Sequence, residues 1–415
     1  MDLDKNLVLK TLLKKSSLYF ATLVIGKFLT AGFFLILARK IASAEYFGLI
    51  TFFVTMVQLL NGIADFGLKN WYQKQIALTP AKSLLKGLLK WRLLFFALTA
   101  VVLIVLQTVF TLMTSGFVAL LLALALEAGI SVADGYYLSC QQSLKLGWKL
   151  IGRNLLLLPV LFFIKKATDY QLFYLAYNFS LLLTFLGYFP WQAMSQSSCS
   201  YKKLPNISSA VPFALIDSLG MLYNRLDHLL IKNILGPAAL GSFGIAYRYL
   251  DAVNLLPQAL FHNLFPLAAK KEGIGKNQLK KLTLMMLAIG LGVGGSLYFA
   301  SPLLTTWILG AEYALSEKVL QQLTIIVVLF FFNAPLNTII QSSRYLKFYV
   351  PYLTLATLIN LLSNMLLLPR YNLFGAVMAM LISEISLVFI NLKFIYLIYH
   401  PCQNYAPKDP NKAES

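Results

Sequence analysis

The residues of this chain that could do chemistry are ionisable side chains set in otherwise apolar stretches. In LYNRLDHLLI, Leu222 to Ile231, three of them interrupt a run ready to enter lipid. At about 100° per residue, Asp217, Asn224, Arg225 and His228 fall within about 80° of one another on a helix, while Asp227 points away from Arg225. Arg248, Asp251 and His262 share one side of the next apolar run, Glu127 and Asp134 lie two turns apart in an earlier one, and Lys27 sits about midway through the first. Charges at a helix centre cost roughly 2.5 to 3.5 kcal/mol each in a bilayer, so several on shared faces imply a wet cavity lined by protein. Asn333, Asn337 and Gln341 form a polar stripe at i, i+4 and i+8, suited either to lining that cavity or to bonding between helices. The chain offers no paired carboxylates at catalytic spacing, nucleophile constellation, glycine-rich phosphate loop or metal motif, and we expect neither a cofactor nor an enzyme.

These residues need helices in a membrane to position them. Of 415 residues 59% are hydrophobic and 12% charged, far below the roughly 25% charged of soluble domains. Mean hydropathy is +0.71. Apolar runs predict about twelve spans, at 16–38, 46–68, 87–110, 116–138, 150–164, 171–190, 208–231, 241–265, 282–300, 319–341, 350–368 and 373–396, the fifth being short. Lysine and arginine concentrate in alternate connections: Lys5 to Lys15, Lys69 to Arg92, Lys145, Lys149 and Arg153, Lys202 and Lys203, Lys270 to Lys281, and Arg344 with Lys347. The other connections hold only Arg39, Lys40, Lys165, Lys166, Lys232, Lys318 and Arg370. That asymmetry predicts a membrane protein with both termini cytoplasmic, and it accounts for most of the formal +19 charge without a nucleic-acid partner. The N-terminal lead-in MDLDKNLVLKTLLKKSS has no small-residue cleavage site nearby, so no removable signal is expected. On this reading Lys27, Arg225 and Arg248 are the only basic residues well inside spans. The three cysteines fall at predicted inner ends and match no metal spacing.

The sequence also reads as an internal repeat. LARKIASAEYFGLITFF, Leu37 to Phe53, and LIKNILGPAALGSFGIA, Leu230 to Ala246, each join a span ending in a basic residue to a short outer turn and a glycine opening the next span. Ile41 and Gly48 match Ile234 and Gly241, with Asn61 and Asn254 in the same register. Both halves start inside, which describes a parallel repeat about an axis along the membrane normal. The expected organisation is a six-helix bundle over 1–194, a cytoplasmic linker over 195–206, a second bundle over 207–400 and a cytoplasmic tail over 401–415.

Several stretches together carry a resemblance: AEYF before Gly48, DFGL at Asp65 to Leu68, YNRLD at Tyr223 to Asp227 followed by ILGPAALGSFGIAYR, ILGAEY at Ile308 to Tyr313, and NMLLLPRYNLFGAVMAMLISE from Asn364 to Glu384. In this order, over nearly the whole chain, they resemble a Wzx-type polysaccharide flippase of the multidrug/oligosaccharidyl-lipid/polysaccharide exporter superfamily. One departure is Ser343 in QSSRYLK, where such proteins often carry a glycine before the basic pair.

The resemblance implies an all-α membrane fold with two six-helix bundles around a V-shaped, alternating-access cavity. It implies a cargo of oligosaccharide on undecaprenyl pyrophosphate, exchanged against protons or sodium ions, with membrane lipids and a polysaccharide polymerase and chain-length regulator as partners. Lys27, Arg225 and Arg248 are then the expected pyrophosphate ligands, because guanidinium groups bond phosphate bidentately and lysine acts as a point charge. Glu127 and Asp134 are the first ion-coupling candidates, followed by Asp217, Asp251 and Glu384, with Asn224, Asn333, Asn337 and Gln341 lining the cavity. Asp65 is expected to cap or hinge its turn. A multidrug exporter of the same superfamily and, further off, a membrane-bound polymerase or glycosyltransferase are the alternatives.

Overall fold

In hydrocarbon every backbone N–H and C=O must find a partner within the protein, so long apolar runs can only be helices or closed barrels. The structure, a computed structural model, describes residues 2–69, 72, 81–110, 116–140, 142, 144–165, 167–196, 211–257, 274–343 and 345–400. Among these it is helical, with no strand. The elements are α1 (Asp2–Ile41), α2 (Ala44–Asp65), α3 (Ala81–Phe110), α4 (Phe117–Ser139), α5 (Leu144–Leu157), α6 (Val160–Phe163), α7 (Tyr170–Tyr188), α8 (Trp191–Gln196), α9 (Val211–Leu235), α10 (Pro237–Val253), α11 (Lys276–Pro302), α12 (Ala314–Ser342) and α13 (Leu346–Tyr399).

Eight helical stretches among the described residues are long and apolar enough to cross a bilayer, and the chain is a multi-pass membrane protein. One of them, Phe348–Tyr399, contains two of the spans read from sequence. The tyrosine-rich α7 and the charged α9 and α10 occupy the other three. Large apolar side chains stay exposed along one side of several helices, as in Leu94, Leu98, Val101 and Val105 of α3 and Leu284, Ile289, Leu291 and Phe299 of α11. In water such stripes would aggregate; here lipid covers them.

The break inside α13 follows from its sequence. Pro369 removes a backbone donor, and Asn372 takes φ 52°, a left-handed value that asparagine tolerates better than most residues. The chain then turns back so tightly that a Cβ on Gly375 would lie 2.2 Å from the Leu367 carbonyl oxygen. PRYN thus divides the last two spans where the hydropathy reading placed the division.

Contacts divide the described chain into two compact units. The first comprises Met1–Ile245 with Ile308–Glu312; the second comprises Ala246–Trp307 with Tyr313–Ser415. The first unit is cored by an aromatic cluster: Phe33 and Phe34 of α1, Phe53 of α2, and Phe173, Tyr174 and Tyr177 of α7, with the Phe53 and Tyr174 rings stacked at 4.4 Å. Within it α2 and α10 cross at backbone contact. A Cβ on Gly48 would sit 1.8 Å from the Pro237 carbonyl oxygen, and one on Gly241 would sit 1.9 Å from that of Ala44. Ala44 with Pro237, and Gly48 with Gly241, are equivalent positions of the repeat read in the sequence. The crossing is therefore reciprocal, each helix offering the same glycine to the equivalent carbonyl of the other. Most of the expected 195–206 linker, the far end of the eighth span with His262, and the C-terminal tail lie outside the described residues.

Candidate functional site

The charged residues of the first unit gather around α4. Glu127 and Asp134 lie seven residues apart, about 10 Å along the axis, and both point away from the exposed apolar side marked by Val118 and Leu122. Each meets a cation from α5. Arg153 Nη1 donates to Glu127 Oε1 at 2.7 Å, and Lys149 Nζ lies 2.7 Å from both carboxylate oxygens of Asp134. The Arg153 guanidinium also lies 4.7 Å from the centre of the Tyr177 ring, and the Tyr188 hydroxyl donates to Asp134 at 3.0 Å. A third pair stands beside them: Arg92 of α3 approaches Asp65, Nε to Oδ1, at 3.7 Å. Ser131 of α4 donates to the same Asp65 oxygen at 2.5 Å, and the other oxygen accepts from the Lys69 backbone at 3.3 Å. Arg92 further donates to the Asn61 carbonyl at 3.2 Å and to the Asn61 side-chain oxygen. Asp65 thus closes the DFGL turn that follows α2, by accepting from the Lys69 backbone N–H, and is an ion-pair member as well.

These pairs correct the sequence reading in one respect. Lys27, Arg225 and Arg248 are not the only basic residues inside spans, since Arg92, Lys149 and Arg153 join them. Hydropathy starts the fifth span at Leu150, which leaves Lys149 and Arg153 at an inner end. The helix begins at Leu144 and the membrane-length stretch runs to Phe163, so Arg153 lies midway along it. The signal that could have found it is the spacing: two cations four apart facing two acids seven apart.

Lys27 is exposed, on the side of α1 roughly 150° from the apolar stripe of Leu18, Ile25, Phe28 and Ile36. Its exposure therefore faces away from the lipid-facing side of its own helix. Its chain neighbour Gly26 packs on Leu150 and accepts a 3.0 Å bond from Asn154, the neighbour of Arg153, so Lys27 and Arg153 stand at one depth. Asp217 and Arg225 are half-buried on α9, where Asp227 and His228 are buried. His228 meets Phe243 edge-on at 5.3 Å, so it is a packed residue. Asn224 is exposed and bonds locally to the Gly220 carbonyl at 2.7 Å.

Arg248 and Asp251 are half-buried and belong to the second unit, as do the remaining candidates. There a chain of bonds joins α12 to α13. Asn333 donates to Glu384 at 3.1 Å and accepts from Asn391 at 2.9 Å, and the Tyr349 hydroxyl lies 3.0 Å from the Asn391 oxygen and 3.1 Å from that of Asn337. Glu384, Asn333 and Asn391 are all but sealed from solvent, whereas Asn337 and Gln341 are half-buried. Of the predicted residues, then, the structure joins Asn333 to Glu384 directly and Asn337 to them through Tyr349 and Asn391.

No family model matches the chain. The inward-closed lipid II flippase MurJ superposes with a TM-score of 0.70 over 91% of this chain and 87% of its own, at 14% identity. An inward-facing multidrug-resistance MATE transporter of the MOP superfamily gives 0.68 over 91% and 96%, at 11% identity. The chain has the fold of the MOP-superfamily transporters. That is the two-lobed, all-helical plan expected from the sequence resemblance. A curated protein of Shigella dysenteriae named "Putative O-antigen transporter" is 25% identical over 196 residues, 46% of this chain, and the match spans about half, 48%, of that relative. These relatives carry the names of transporters and flippases, not of enzymes.

Proposed function

We propose that this protein is a flippase that moves undecaprenyl-pyrophosphate-linked oligosaccharide from the inner to the outer leaflet of the cytoplasmic membrane for surface polysaccharide synthesis. Lys27 is the observation that carries the reading: a cation within a membrane-length helix, exposed yet turned from the apolar side of that helix. A pyrophosphate crossing a low-dielectric region needs such fixed positive charge. Arg225 and Arg248 supply further donors. The 1–194 and 207–400 halves move as two bundles, with both termini cytoplasmic. Glu127 and Asp134, then Asp217, Asp251 and Glu384, couple the movement to protons or sodium ions, and Asn224, Asn333, Asn337 and Gln341 contribute polar lining. A polymerase and a chain-length regulator receive the delivered glycan. The named O-antigen relative supports the cargo class, and the likeness to MurJ and MATE structures supports a transport fold.

The test reconstitutes the purified protein with a fluorescent undecaprenyl-pyrophosphate oligosaccharide and measures how much becomes accessible on the opposite leaflet. Wild type is expected to move it, and Lys27→Ala to lose at least about tenfold in rate, the consequence of losing a charge-assisted contact worth on the order of 1.5 to 3 kcal/mol. Extension of the glycan without movement would favour an enzyme, and equal movement by the variant would remove Lys27 from the path.

A further inference from the structure

Resting on that reading, we propose a second anion station inside the first unit. Arg153 binds the phosphate-bearing head of the cargo, and Glu127 is the resident anion that the cargo displaces. The pair has the construction such an exchange needs. Its N–O distance is 2.7 Å, yet the side chains remain 20% and 13% exposed, so a competing anion can reach them. Arg153 lies about 150° around α5 from the exposed stripe of Trp148 and Leu155, so this accessibility is not on the lipid side. Helix α4 packs chiefly on α7, α3 and α2, and it meets α5 largely through these long charged side chains. Opening the pair therefore leaves the packing of α4 on α7, α3 and α2 in place.

Two further features fit the role. The Arg153 guanidinium carbon lies 4.7 Å from the centre of the Tyr177 ring, and this aromatic contact steadies the cation beside Glu127. A phosphate carries more charge and more acceptor oxygens than one carboxylate, so it competes well for the same fork. The Lys149–Asp134 pair repeats the arrangement about 10 Å along the axis, toward the end of α4 that is cytoplasmic in the proposed topology. An anion entering there meets Lys149 first and Arg153 next, at the depth of Lys27. Glu127 and Asp134 keep the station neutral when cargo is absent, which avoids the cost of an uncompensated cation in a dry site.

The experiment measures binding of undecaprenyl pyrophosphate to the full-length protein in nanodiscs, for wild type, Glu127→Gln, and the double variant Glu127→Gln with Arg153→Gln. The double variant keeps the site neutral and able to hydrogen bond, so it separates anion binding from folding. Removing the competing carboxylate is expected to tighten binding about tenfold, and the double variant is expected to bind about tenfold more weakly than wild type. Leaflet transfer by Glu127→Gln should slow as binding tightens, because the head group is no longer displaced. Wild-type binding that both variants reproduce would overturn the station and leave the flippase reading standing. Failure of wild type to bind the lipid at all would overturn both.

Discussion

Two polar clusters among the described residues, one in each unit, are built differently. The first unit sets three carboxylates against three cations, and the two pairs between α4 and α5 keep 13% to 20% exposure. The second unit holds Glu384, 3% exposed, in a web of neutral amides and a tyrosine hydroxyl, with Asn391 at 0% and Asn333 at 2%. Charge pairs at an accessible edge can change partners. Amides whose donors and acceptors are fixed by one another cannot do so without leaving a sealed group unpaired, which costs about 1 to 3 kcal/mol each. The contrast assigns exchange to the first unit and a fixed tie between α12 and α13 to the second.

The largest break in this comparison comes from Arg92, a cation of the first unit that is sealed, at 1% exposure. Arg92→Ala leaves Asp65 without its cation and removes one of the largest fully buried side chains. Loss of one partner of a buried pair costs about 3 to 5 kcal/mol, and thermal unfolding in detergent should show the largest fall of the series. A fall no greater than that of the Glu127→Gln variant would place Arg92 among the exchangeable pairs.

Next is Glu384→Ala, which strands the Asn333 amide. About 3 kcal/mol is expected to be lost, and Glu384→Gln, still able to accept from Asn333, should restore most of it. If Gln fails to restore stability, the charge itself is needed there and the second unit is not the neutral tie described. Asn391→Ala follows at about 2 kcal/mol: it removes the acceptor of one Tyr349 contact and the donor to Asn333, while Tyr349 keeps Asn337. Stability of both variants is read by the same thermal unfolding.

How much of this was legible in the sequence follows from the range of the interactions. Span positions, the PRYN break and the repeat-related glycines rest on local chemistry: apolar length, a proline, an asparagine at positive φ, and a glycine where two backbones touch. The Asn333 and Asn337 stripe was legible by periodicity, but its partners Tyr349 and Asn391 lie on another helix and carry no sign of it. The ion pairs were half legible. Glu127 and Asp134 stand out as acids in an apolar run, whereas Lys149 and Arg153 lie just past a turn and are absorbed by the count of cytoplasmic charges. A cation near a helix end satisfies the positive-inside rule and a buried acid equally well, and only the start of α5 at Leu144 decides between them.

The smallest expected effect is the one that sharpens the comparison most. Asp134→Asn keeps the acceptor for Tyr188 and one contact with Lys149, and a partly exposed pair contributes roughly 0.2 to 1 kcal/mol, so under about 1 kcal/mol should be lost. Salt screens charges that water reaches and leaves sealed dipoles alone. Raising the salt concentration should therefore shrink the difference between wild type and Asp134→Asn, while the difference for Asn391→Ala holds constant. Equal salt dependence of the two differences would show that water reaches both interiors alike, and the division into an exchanging unit and a fixed one would fall.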